Sequence, residues 1–247
     1  EADGDFLYTP PTDFTGNDTF TYTVQTGTAT VTVGVSEIIW WVDNRGSNSG
    51  ASGRSHDPFP EISEGTNAAG PGEYVHVANG NGTTYESLSA GAGRMIYGEG
   101  VAFSVPGFGV LAPAGTAPTL QSGEGSALSL STNGFAAGFR VDNDNGWGVS
   151  AFGAAGGTLE DIEIVANTAG GLRVVNGTGT FTFTRIDITH SSADEAILIS
   201  GGSPTVNMEI TNGSVTSSTG KMLHVAGTTA GTVTLTGGTM TSTNGQG

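Results

Sequence analysis

Three sets of apolar residues in the second half of the chain keep step with one another at a period near 25 residues. Placing Leu159, Phe183, Ile210 and Leu235 in one column gives spacings of 24, 27 and 25. Five residues further on, Ile164, Ile188, Val215 and Met240 repeat those spacings, and Val149, Leu172, Ile197 and Leu223 follow at 23, 25 and 26. A repeat of this kind marks a solenoid, because one unit cannot bury its own apolar face and needs a stacked neighbour. Within each unit the apolar residues alternate with Thr, as in Thr180-Phe181-Thr182-Phe183-Thr184 and Thr232-Val233-Thr234-Leu235-Thr236. That is a period of two in β-branched and aromatic residues, the pattern of strands and not of helices. Leucine-rich repeats have a similar period, but their Leu-rich consensus with a fixed Asn is missing. Each unit therefore reads as one coil of a parallel β-helix. Outward positions stack as well, Thr184 with Thr211 and Thr236, and Thr189 with Thr216 and Thr241. Registered hydroxyl pairs of this sort contribute about 0.2–1 kcal/mol each.

Composition supports an all-β chain. Among 247 residues there are 42 Gly and 9 Pro, and only 12% are charged. Gly supplies the positive-φ positions that tight turns require, and no segment sustains the apolar spacing of a long amphipathic helix. The net charge of −16 repels phosphate backbones and anionic lipid surfaces, which argues against nucleic acid as a partner. With no Cys, disulfides, thiolate zinc sites and thiol nucleophiles are excluded. No run of 18 apolar residues is present, so no membrane insertion by a helix is expected.

Residues 4–36 follow a different rule. Phe6 and Tyr8, then Phe20, Tyr22 and Val24, then Val31, Val33 and Val35 alternate cleanly and predict three strands separated by turns at "PPTD" and "QTG". The segment Gly16-Asn17-Asp18-Thr19-Phe20-Thr21-Tyr22 resembles the closing strands of cadherin-like or bacterial immunoglobulin-like modules found along giant secreted bacterial proteins. From Glu37 onward, apolar strands are expected at Ile38 to Val42, Tyr74 to Val77 and Met95 to Tyr97. One short helix is expected within "DPFPEISEGTNAA", capped by Asp57 or Ser55 and weakened by Gly65. The "VDN", "PF" and "GEG" wording of this stretch resembles the opening of right-handed parallel β-helix domains in large bacterial surface proteins. The resemblance implies a fold class of all-β, right-handed parallel β-helix, with a small N-terminal antiparallel immunoglobulin-like portion. The expected domains are residues 1–36, the end of the immunoglobulin-like module, and 37–247, the β-helix with its capping segment.

Candidate chemistry is sparse. Glu163 and Asp187 each precede an inward Ile, so they should point outward on adjacent coils about 4.8 Å apart, near the carboxylate separation of about 5 Å used by retaining glycosidases. Exposed carboxylates splay into water, however, and Asp161 beside Arg185 reads as a surface ion pair. Arg140, Arg173, Arg185 and Lys221 form no visible cluster. "VDNDNGWG" at 141–148 offers Asp142 and Asp144 to calcium, but its Gly falls one position early and a solvated turn fits better. His56, His76, His190 and His224 lack metal-ligand spacing and read as exposed or turn residues. Trp40 and Trp41 should divide between the first coil's interior and the packing under the capping segment, and Trp147 could stack on a sugar. Ice binding by the Thr columns is disfavoured, because Glu209 is expected to interrupt the column of Thr182 and Thr234.

We therefore expect no enzyme, with no catalytic, cofactor-binding or metal residues and no cofactor. The expectation is an extracellular, structural or adhesive segment of a bacterial cell-surface protein or filament, forming a rigid rod. Its partners would be neighbouring copies or adjacent segments of the same polypeptide, and a glycan or cell-surface ligand. A carbohydrate-active enzyme using the Glu163 and Asp187 face is the alternative. Three N-terminal strands without an opposing sheet, and a last coil without a cap, further predict that the segment continues covalently or is completed by a neighbour.

Overall fold

The computed structural model describes residues 8–9, 11, 14, 16–24, 26–35, 38–46, 50–91, 93–143, 145–167, 169–209, 214–217, 220–228 and 230–242. The chain divides into two compact units, Glu1–Ile38 and Ile39–Gly247. In the first, strand Gly16–Val24 pairs antiparallel with Gly27–Val35, placing Phe20 opposite Val31 and Tyr22 opposite Ala29. The expected strand around Phe6 and Tyr8 falls largely outside the described residues. Tyr8 is described, and its hydroxyl donates to Asp18 Oδ2 at 3.0 Å.

The second unit is a parallel β-solenoid of about six turns over residues 74–236. One turn shows how the sequence builds it. Strand Gly170–Val175 lies on one face, the chain turns a corner, and strand Thr178–His190 follows before Ile197–Ser200 opens the next turn. Within Thr178–His190 the buried apolar residues are Phe181 and Phe183, then Ile186 and Ile188. Simple alternation cannot put positions 183 and 186 on one side, and Arg185 between them supplies the phase change by adopting φ 55°. The strand therefore bends at Arg185 and lines two faces, giving three faces per turn. Gly138 and Asp161 occupy the same corner of the two preceding turns, with φ 74° and 52°. Left-handed backbone is costly for residues other than Gly. Here Arg185 Nε and Nη2 each donate to an Asp161 carboxylate oxygen at 2.6 Å and tie the two corners together. A second corner runs through Gly153, Asn176, Gly201 and Gly227, whose φ values lie between 53° and 64°. Gly and Asn are the residues that tolerate this conformation best.

The interior is a stack of apolar columns. Val149, Leu172, Ile197 and Leu223 are in register, as are Ile164, Ile188, Val215 and Met240, both as the repeat predicts. The remaining column differs from expectation. Phe183 pairs with Met208, and Met208 with Leu235, so Met208 holds the place assigned to Ile210. The reason is a longer corner: strands Ser203–Glu209 and Ser214–Ser217 separate Met208 from Val215 by two residues more than their counterparts in the adjoining turns. Counting back five from Val215 lands on Ile210, two residues after Met208, a shift that alternation alone does not reveal. Ile210 and Thr211 lie outside the described residues. The outward columns shift accordingly. Thr184, Glu209 and Thr236 stack together, while Asn207 stands between Thr182 and Thr234. Thr189, Thr216 and Thr241 are in register as expected.

The opening turns carry insertions. Strands Ile39–Val42 and Tyr74–Val77 and Met95–Gly98 pair in succession, and the helix Ile62–Ala68 packs against the first of them. Its N-cap is Glu61, in a capping box with Glu64, and not Asp57 or Ser55. The Asp57 carboxylate accepts the Ser52 N–H at 2.8 Å, holding the preceding loop instead. Ile62 is buried at the end of the core. Gly65, unfavourable for helix propensity, is required by packing, since a Cβ there would stand 2.6 Å from Val42 Cγ2 and 3.2 Å from Val75 Cγ1. We predict that Gly65→Ala lowers stability by about 1–3 kcal/mol through overpacking, although Ala gains about 1 kcal/mol in an exposed helix. A chemical denaturation curve shifted towards higher stability would refute this close-approach account.

Candidate functional site

Glu163 and Asp187 are register neighbours on adjacent turns, as expected. Arg140 completes the row, pairing in register with Glu163 on the preceding turn. Arg140 Nη1 lies 2.7 Å from Glu163 Oε1, and Arg140 Nη2 lies 3.8 Å from Asp142 Oδ2. Arg140 thus joins the acidic face that the sequence leaves without a basic partner. Glu163 is exposed and Asp187 half-buried, on a regular outer face of the solenoid. The row is a surface charge ladder. Such pairs contribute about 0–1 kcal/mol.

The segment 141–148 is organised by Asn143, which is fully buried. Its Nδ2 donates to the Gly125 and Trp147 carbonyls, both at 2.8 Å, and so joins two turns. Asp144 lies outside the described residues, and among the described residues no group of three His, Cys, Asp or Glu is placed to hold a metal ion. The Trp147 ring is occupied by Arg173, whose Cζ stands 5.3 Å from the ring centroid, and its edge lies over Gly170.

Two of the histidines depart from expectation. His56 is exposed and His224 is half-buried with Nδ1 2.7 Å from Glu195 Oε1, but His76 and His190 are buried. His190 Nε2 lies 2.9 Å from the Asp194 carbonyl. His76 is 4% exposed, and neither ring nitrogen has a hydrogen-bond partner. Burial pushes its imidazole down to about 4, against the attraction of Glu99 and Asp43 for the proton.

His76 belongs to an aromatic cluster on the outer side of the first turns. Trp40 points inward, stacks on Phe59 at 6.1 Å and donates from Nε1 to Glu73 Oε2 at 2.8 Å. Trp41 points outward and meets His76 at 4.8 Å. The hairpin of Phe103–Val105 and Gly109–Ala112 folds over this face, and its Phe103 contacts Trp41, Tyr74, His76 and Tyr97. Phe103 is fully buried, whereas Phe108 at the hairpin tip is 70% exposed.

Beside this cluster lies a cavity of about 280 Å³, walled by Trp41, His76, the loop at Ser55 and Pro58, and the chain after the hairpin at Ala112 to Ala114. Its floor follows from register. Val42, Val77 and Gly98 are paired across three strands, so Asp43, Ala78 and Glu99 succeed them in one row. Ala78 leaves a hollow between two carboxylates. Arg45 Nε donates to Asp43 Oδ1 and Oδ2 at 3.0 and 2.9 Å. Burial works to raise the Asp43 carboxyl, yet the hydrogen bonds from Arg45 prevail and hold it below the usual carboxylate range. Glu99 Oε2 accepts the Asn79 N–H at 2.6 Å. Both carboxylates are thus fixed by donors, an arrangement suited to accepting hydrogen bonds from a ligand. Sequence reasoning missed this row because its strands are separated by insertions that break the 25-residue period.

Fold and site define a parallel β-solenoid protein with an antiparallel N-terminal hairpin. Comparison of the chain with protein-family models, with curated proteins and with solved structures gives no match.

Proposed function

We propose that this chain is a structural, surface-presenting segment of an extracellular bacterial protein or filament, in which the solenoid acts as a stiff rod and has no catalytic role. The observation that carries this reading is the stack of in-register apolar columns inside the turns, from Val149 to Leu223 and from Ile164 to Met240. The coils with a neighbour on both sides bury their inner faces against those neighbours, and stiffness and resistance to proteolysis follow from that repeat. The outer faces of these turns carry Thr, Ser and Asn together with the Arg140, Glu163 and Asp187 ladder. The N-terminal hairpin, with Tyr22 half exposed, has the composition of a module edge that a further sheet would cover, as in immunoglobulin-like domains, because two strands alone are marginal in water. Neighbouring copies or adjacent segments of the same polypeptide are the partners this reading requires.

The test is limited proteolysis of the full chain with a nonspecific protease, combined with assays on neutral and acidic polysaccharides. The expected result is a resistant fragment spanning the solenoid turns and no polysaccharide turnover. Early cleavage within the regular turns would overturn the rod. Turnover abolished by Glu163→Gln or Asp187→Asn would instead establish the carbohydrate-active alternative.

A further inference from the structure

We propose that the cavity between Trp41 and the Ala112 to Ala114 segment is a binding site for one neutral pyranose unit of a glycan. The assignment stands on the cavity's own chemistry and does not depend on the rod. At about 280 Å³ the space is at the small end of ligand pockets, suited to a single ring-sized ligand. One wall is the half-buried Trp41, an amphipathic aromatic plate that packs against the C–H face of a sugar ring. The floor is Ala78, flanked by Asp43 and Glu99 about 10 Å apart at the backbone, twice the spacing between neighbouring strands. Fixed carboxylates at the two ends of a shallow hollow accept hydrogen bonds from hydroxyl groups on opposite edges of one ring.

His76 supplies the independent observation. A buried imidazole with both nitrogens unpaired is uncommon, because a buried polar group without a partner costs about 1–3 kcal/mol. Its ring forms part of the cavity wall, and in the neutral state it has one donor and one acceptor. A hydroxyl group is the ligand function that answers both. The nitrogens are covered in the free protein, so engagement requires the side chains packed around His76 to shift, an adjustment common at binding sites.

Charge selects among sugars. Asp43, Arg45 and Glu99 all line the hollow; Asp43 and Arg45 offset one another as an ion pair, and Glu99 leaves the site net negative, so a uronic acid would meet repulsion. The chain's net charge of −16 adds to it.

The full 247-residue chain would be titrated with methyl pyranosides of glucose, galactose and mannose up to about 50 mM, following Trp fluorescence and the His76 imidazole NMR resonances. At least one should bind saturably with a millimolar Kd and shift the His76 signals. Ala78→Leu, which fills the hollow, should abolish binding, and Glu99→Gln should weaken it about tenfold. Melting curves of each variant would verify folding, and the His76 shift in the unaltered protein gives a readout needing no variant. Absence of saturation with all three sugars would overturn the assignment. So would binding with unmoved His76 resonances, binding that survives Ala78→Leu, or equal binding of methyl glucuronide or tetramethylammonium.

Discussion

Phe183→Ala is expected to destabilise the solenoid by about 3–5 kcal/mol, and Met208→Ala by about 2–5 kcal/mol, through loss of buried apolar surface and the cavities left behind. Both side chains are 1% exposed, and each is flanked above and below by other members of its column. Phe183 also packs on Phe181, ring centroids 6.2 Å apart. Collapse around the gap is limited because the backbone on either side is held by parallel ladders to two neighbouring turns. In a solenoid the effect passes to both adjoining turns through the shared interfaces. Trp40, Trp41 and Trp147 all lie in the second unit, so their fluorescence in a denaturant series reports on this unit. Thr182→Ala, on the outward side of the same strand, should change stability by about 0.5 kcal/mol or less. The Met208 result tests register directly. If Met208→Ala were as mild as Thr182→Ala, the column Phe183, Met208, Leu235 would be wrong and the longer corner with it.

That column also shows what the sequence makes legible. Alternation of Phe181, Phe183, Val206, Met208, Val233 and Leu235 with Thr, Asn and Glu identifies strands and the inward face, because side-chain direction has a strict period of two. Parity carries no information about shifts of two residues, so the longer corner after Glu209 passed unseen and displaced Ile210 and Glu209 by one pair. The interruption of the Thr array survives this correction at a different place, since Glu209 now separates Thr184 from Thr236. Corners were legible only indirectly, through the odd spacing of five between Phe183 and Ile188. At one corner the residue with positive φ is Arg185, which turn statistics do not favour, and its bidentate ion pair with Asp161 across turns is a tertiary contact. The cavity was illegible for another reason. Trp41, Asp43, His76, Ala78 and Glu99 come together only after the helix has been inserted between their strands and the hairpin folded over them. A single His in a strand reads as exposed until Phe103, 27 positions later, is known to cover it.

Acidification is expected to weaken the same region, and His76 fixes the window. Its folded-state value of about 4 lies below the ordinary 6.5, chiefly because burial disfavours the charged imidazole. Between these values the unfolded chain binds a proton that the folded chain does not, so stability falls as pH falls. The contribution is fully present above pH 6.5 and is lost progressively down to about pH 4, amounting to about 3 kcal/mol for a displacement of this size. The carboxylates of Asp43 and Glu99 favour the protonated ring but do not overcome burial. Tyr97, on a strand beside it, has its hydroxyl pushed up by burial and remains neutral throughout this range. Cation–π attraction to Trp41 and Phe103 offsets part of the penalty, yet both rings are tilted to the imidazole, at 53° and 39°, which favours no face-on contact. The Asp43 carboxyl, held low by Arg45, titrates below this window. Phe at position 76 keeps the aromatic packing and removes both the titration and two unpaired buried nitrogens. Denaturation midpoints of the unaltered protein and of His76→Phe, measured from pH 8 to pH 4, should diverge on acidification, the variant losing less stability. Parallel profiles would show that His76 is not buried neutral beneath the hairpin, and would remove the support that its unpaired nitrogens give to the cavity as a sugar site.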